Sequence, residues 1–108
     1  MITLQSIGNS KRANGTSLGG YINVTYEQLT DTLGASLGPS PDNKVLAEWH
    51  VVIRDQGEDV GFATIYNYKT GNNYDPQGGL NVQDIQTWHV GTKHAHEYSY
   101  INQFFKEQ

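Results

Sequence analysis

Two runs constrain this chain more than any other feature: Val45 to Asp55 (VLAEWHVVIRD) and Val60 to Lys69 (VGFATIYNYK), separated by the four polar residues Gln56 to Asp59. Alternating aromatic and β-branched residues around a short, glycine-containing connection predict a β-hairpin. The simplest register sets Asp55 opposite Val60, so that Ile53 meets Phe62, Val51 meets Thr64, Trp49 meets Tyr66 and Ala47 meets Tyr68. That face is apolar and reads as the core. The opposite face then holds Leu46, Glu48, His50, Val52 and Arg54 on one strand and Gly61, Ala63, Ile65, Asn67 and Lys69 on the other. Its apolar centre at Val52, Ala63 and Ile65 needs either a covering element or a partner.

Elements on either side follow from local signals. Gln5 to Thr16 is rich in Gly, Asn and Ser, so residues 1–16 are expected to form a loop or mobile arm. Gly19 and Gly20 make Ser17 to Val24 an edge strand or a bent one. Thr25 and Gln28 fit a capping box that opens a helix on Tyr26, Leu29 and Leu33, with Gly34 as its stop. Pro39 and Pro41 stiffen the connection Ala35 to Asn43. The long segment Thr70 to Asp84 reads as a surface excursion carrying Tyr74 and Leu80, since loops above ~12 residues in a compact domain are usually functional or mobile. Ile85 to Val90 is a further strand with Trp88 and Val90 on the core side and Thr87 and His89 on the other. Thr92 is placed to cap a last helix over Lys93 to Lys106, with an apolar stripe of Ala95, Tyr98, Ile101 and Phe105. The expected fold is α+β: one domain over 1–108, an antiparallel sheet of three to four strands, one short helix in the N-terminal half and a longer C-terminal helix packed on the sheet.

Composition removes several function classes. A chain of 108 residues has room for one modest core, and the absence of cysteine excludes disulfides, thiolate zinc sites and cysteine nucleophiles. A net charge of −4 with scattered Lys and Arg argues against direct nucleic-acid binding, which uses a basic stripe to displace counterions. The eleven carboxylates are too evenly spread for a DNA-mimicking face. No charged leader with an apolar stretch opens the chain, and no run approaches the ~20 apolar residues that span a bilayer, so a cytoplasmic protein without membrane contact is expected.

Four histidines raise the question of a metal or of acid–base chemistry. His94 and His96, two apart on a helix, would point about 200° from each other and fail as a chelate unless that segment is extended. No HExxH, GxGxxG or GxxxxGK[ST] occurs, and the two GxSxG strings, Gly15 to Gly19 after a loop and Gly34 to Gly38 after a helix, lack the strained strand-to-helix elbow, so no metal, cofactor or nucleophile is assigned. The sheet offers a better grouping: with the Ile85 to Val90 strand beside the hairpin, His89 and His50 share the second face, with Glu48 and Asn67 near His50. Twelve aromatics in so short a chain add a second theme, because Tyr and Trp anchor interfaces. Trp49, Trp88, Tyr66, Phe62 and Phe105 are assigned to packing; Tyr68, Tyr74 and Tyr100 are the candidates for contact.

The order Ser17-Leu18-Gly19-Gly20-Tyr21-Ile22, Thr25-Tyr26, Leu33-Gly34, Ala47-Glu48-Trp49, Ala63 to Lys69 (ATIYNYK) and Trp88-His89-Val90-Gly91 resembles a group of small uncharacterised bacteriophage proteins. The likeness runs from Ser17 to Phe105. Two departures from that pattern, the longer turn at Gln56 to Asp59 and the expanded loop before Trp88, mark a specialised binding edge. A weaker, architectural similarity is to helix-then-sheet modules of the β-lactamase-inhibitor and outer-membrane assembly lipoprotein type. The resemblance implies a phage-encoded accessory protein, acting in the host cytoplasm, that binds a host protein or complex and inhibits or redirects it without turnover. Its expected binding residues are Glu48, His50, Asn67, Tyr68, Tyr74 and His89. Two alternatives stay open, a small-molecule or nucleotide binder or hydrolase using His50, His89 and Glu48, and a virion or packaging component; so does a homodimer.

Overall fold

The hairpin closes through two residues. Gln56 and Gly57 both adopt positive φ, 52° and 86°, which is the type I′ geometry that matches the twist of the flanking strands. Asp55 therefore faces Glu58, and one further residue, Val60, is inserted between the pairs Arg54–Asp59 and Ile53–Gly61 as a β-bulge. From Ile53 backwards the register differs by one residue from the simplest sequence reading, and a slip of one exchanges the faces of a whole strand. Trp49, Val51 and Ile53 now lie opposite Ile65, Ala63 and Gly61 in the core. Phe62 and Tyr66, which the sequence reading placed in the core, instead share the second face with His50 and Val52.

The computed structural model describes residues 1–107. Its sheet has five strands, one or two more than expected: β1 (Ile2–Ser6), β2 (Ser17–Asn23), β3 (Glu48–Asp55), β4 (Glu58–Tyr66) and β5 (Thr87–Thr92), in the spatial order β1-β3-β4-β5-β2 and antiparallel throughout. The extra strand comes from the presumed arm. Ile2 and Leu4 alternate with exposed Thr3 and Gln5, and that period-2 pattern pairs β1 with the outer edge of β3, Leu4 opposite Ile53. β2 is the other edge, bent at Leu18 to Gly20 as its glycines suggested. β5 begins two residues later than expected because Val82–Asp84 forms a 3-10 turn that tucks Ile85 into the core.

Both helices pack on one face. α1 (Tyr26–Leu33) has the full capping box, Thr25 Oγ1 accepting from Gln28 N and Gln28 Oε1 accepting from Thr25 N, and stops at Gly34. It buries Leu29 and Leu33 against a cluster in which Trp49 and Trp88 meet edge to face at 5.5 Å with Tyr26 over both. Each indole also donates to the backbone at one end of α1: Trp88 Nε1 to Val24 O at 3.1 Å before the helix, Trp49 Nε1 to Gly34 O at 2.9 Å after it. Two sheet residues thus fix the helix at both ends. α2 (Ala95–Lys106) seats Ile101 and Phe105 on the same core. It starts later than predicted because His94 serves as N-cap in extended conformation, which also brings the His94 and His96 rings to 5.7 Å. Among the described residues no helix is long and apolar enough to cross a membrane, and no three His, Asp or Glu side chains are grouped to hold a metal ion.

Candidate functional site

The helix-free face of the sheet is divided in two by the segment that follows β1. Lys11–Ala13 form a short 3-10 turn that lies over the centre of the face. Arg12 stacks its guanidinium on Phe62, 5.2 Å from the ring centre, and pairs with Asp59 at 2.9 Å. Ser10 N donates to His50 Nδ1 at 2.9 Å. Beneath this cover His50, Val52, Phe62 and Thr64 are buried. The expectation of a loop or mobile arm over 1–16 is corrected for its first part, Ile2–Ser6, which is a strand; the rest is a loop that lies on the sheet as a lid, held by a cation–π contact, an ion pair and a hydrogen bond.

Beyond the lid the face is open and aromatic. Tyr21 of β2, His89 of β5, Tyr66 of β4 and Glu48 of β3 form one cross-strand row. Tyr66 stacks on His89 at 5.2 Å, Tyr21 meets its edge at 4.9 Å, and Tyr68 closes from the third side at 6.1 Å. Tyr21 and Tyr68 remain 49% and 41% exposed, although both are held by strands or by a tight chain reversal. Tyr98 of α2 donates its hydroxyl to Tyr21 O at 2.7 Å, so the strand presenting Tyr21 is tied from below. Lys69 extends the patch by placing its ammonium over Tyr68 at 5.2 Å and Tyr74 at 5.7 Å.

The environment of this row shifts two titrations. Burial holds the His89 imidazole below its usual value; the Tyr66 backbone opposes that weakly and makes no hydrogen bond to the buried Nδ1, which has no partner among the described residues. Burial, then the Glu48 charge, raises the Tyr66 phenol above its ordinary range. Both rings are thus held uncharged near neutral pH, as suits packing against a partner more than proton transfer.

The six residues expected to form a site separate into different roles. His50 and His89 do not meet, because β4 lies between their strands and His50 is only 3% exposed under the lid. Glu48 does lie beside His50, with Oε2 2.5 Å from Nε2. Tyr68 and Tyr74 are exposed as expected, the latter at 44%. Asn67 is a correction: it is wholly buried, its Oδ1 accepting from Leu46 N (2.8 Å) and Ala47 N (3.0 Å) while Nδ2 donates to Thr70 Oγ1 (3.2 Å). Its side chain joins the strand entry to the strand exit and has no free group for a ligand. Asn67→Ala is expected to cost about 2 kcal/mol, because two buried N–H groups lose their acceptor; Asn67→Asp, which keeps the acceptor, should cost less in a urea titration. Tyr21 and Tyr66 were the residues missed. The alternation of exposed Tyr21 with buried Ile22 carried a signal for the first; the register hid the second.

No family model matches this chain, and no curated protein or solved structure is significantly similar to it.

Proposed function

We propose that this chain is a non-catalytic binding protein that engages a macromolecular partner through the open aromatic half of its sheet. The observation that supports this most is the row Tyr21–His89–Tyr66, large rings on paired strands with no helix over them, extended by Tyr68 just past the end of β4. Rigid aromatics lose little entropy when a partner covers them, which is why such residues dominate interface energetics. On this reading the partner is a host protein or complex, as the pattern of residues from Ser17 to Phe105 leads us to expect, and the mode of action is occupancy that inhibits or redirects that target. The His50–His89 grouping gives no shared pocket for turnover.

In affinity capture from a bacterial host, the tagged protein should retain one protein in stoichiometric amount. Tyr21→Ala and Tyr68→Ala should each weaken that complex about tenfold or more, the loss associated with an interface anchor. Because both side chains are exposed, Tm should move little. Equal retention by the folded double variant would place the interface elsewhere.

A further inference from the structure

β1 stops short of the start of β3. Its last cross-strand bond is Ile7 N to His50 O at 3.0 Å, and the freed edge of β3 is taken up by Leu37, which exchanges both backbone bonds with Glu48 at 2.7 and 3.0 Å. Between the two covering segments lies a cavity of about 350 Å³ lined by Asn9, Leu37, Pro39, Pro41, Val45 and Glu48. Its walls mix apolar surface with polar groups, Asn9 and Ser40 among them, and Glu48 is its one charged lining residue.

That charge lacks a counterion. A backbone N–H can only donate, so the bond from Ser10 N leaves His50 Nδ1 without a proton, and the ring hydrogen sits on Nε2, where it is donated to Glu48 Oε2. His50 therefore orients the carboxylate and does not neutralise it. Among the described residues no Lys or Arg nitrogen comes within 4.0 Å of Glu48. The Glu48 side chain is 29% exposed, so it has lost much of its water while keeping one face open. A partly desolvated carboxylate with one oriented oxygen is short of hydrogen-bond donors.

We infer that this pocket binds an organic cation, an alkylammonium or alkylguanidinium group, with the charged head on Glu48 and the aliphatic stem against Leu37, Pro39, Pro41 and Val45. Lys and Arg stems pack on apolar walls of this kind while their heads reach a polar group. The same carboxylate repels anions. The inference rests on this pocket, which shares Glu48 with the end of the cross-strand row and none of that row's aromatic rings.

The test is a ¹H–¹⁵N NMR titration of the full chain with n-butylguanidinium, n-butylammonium and neutral N-butylurea, and separately with the peptide acetyl-Gly-Arg-Gly-amide. Both cations should shift the Asn9, Ser10, Val45 and Glu48 amides saturably, and butylurea should bind at least about tenfold more weakly, since it keeps the shape without the charge. Glu48→Gln, whose amide oxygen still accepts from His50 Nε2, should lose the cation preference. Saturation by the peptide as well assigns the pocket to a partner's basic side chain; saturation by the free cations alone assigns it to a small amine. Absence of saturable shifts, equal affinity for butylurea, or unchanged cation affinity in folded Glu48→Gln overturns the proposal. Should that variant not fold, the comparison of butylguanidinium with butylurea on the unaltered chain decides.

Discussion

Glu97→Ala is expected to lower unfolding stability by about 3 kcal/mol, far more than an ordinary helix-surface substitution, because it strips the acceptor from three backbone N–H groups at once. Past Thr64 in the direction of the turn, β4 no longer pairs with β5. The start of α2 fills that gap. Glu97 Oε2 accepts from Phe62 N at 2.8 Å, and Oε1 accepts from Lys93 N and His94 N at 2.9 Å each, so one carboxylate completes both a strand edge and a helix cap. The neighbouring bulge is served from the same turn, His96 Nε2 donating to Val60 O at 3.0 Å. Gly61 leaves the room: a Cβ there would lie 2.8 Å from Glu97 Cγ and Oε2. Glu97→Gln should cost less than alanine, since one oxygen still accepts while its NH₂ confronts a donor.

The same carboxylate links stability to pH. Burial pushes the Glu97 pKa up, but the three backbone donors, from Phe62, His94 and Lys93, together with the charge of His94, outweigh it and leave the group below its ordinary 4.5. A group depressed by folding contributes its full stabilisation above the unfolded value and loses it as pH falls through the folded one. Stability of the native chain should therefore decline below about pH 4.5, and the decline should be shallower in Glu97→Ala. Asp59, lowered chiefly by its bond to Arg12, titrates in the same range and remains in both proteins, so the difference between the two curves isolates Glu97.

Trp88→Ala should be more damaging still, at about 4 kcal/mol with a fall in Tm on the order of 20 °C. The indole is wholly buried, packs edge to face on Trp49, and donates to Val24 O at the entry to α1. Its removal opens a cavity and leaves a buried carbonyl without a donor. Trp88→Phe keeps part of the ring volume and loses the N–H, so it should fall between. Small domains have only about 5–15 kcal/mol in total, which puts the alanine variant near the unfolding threshold at physiological temperature. Far-UV circular dichroism during thermal unfolding measures the ranking directly.

Local signals in the chain were legible where one residue type has one physical role. Thr25, Gln28 and Gly34 delimit α1, and the spacing of Ile101 and Phe105 marks the buried stripe of α2. The hairpin itself was legible, but its register was not. Gln56 carries a positive φ that Asn, Asp or Gly usually announces, and a bulge at Val60 has no sequence signature of its own. That single residue decided whether Tyr66 and Phe62 were core or face. The site suffered accordingly: Tyr68 and Tyr74 stayed exposed as read and Glu48 and His89 kept to the second face half-buried, whereas His50 was buried by a lid that looks like a loop and Asn67 became a structural bracket. Arg12 could bring that lid down only because Asp59 and Phe62, 47 and 50 residues away, lie on the correct face to receive it.

The central claim is that the open aromatic half of the sheet, and not the helical face, is where a partner sits. Site-specific photo-crosslinking in bacterial cells tests this most directly, with p-benzoylphenylalanine introduced in turn at Tyr21, at Tyr68 and at the exposed α2 residue Gln103. The account predicts one discrete adduct of the same mass from positions 21 and 68 and none from position 103. An adduct from position 103 alone, or none from either tyrosine position, would contradict it.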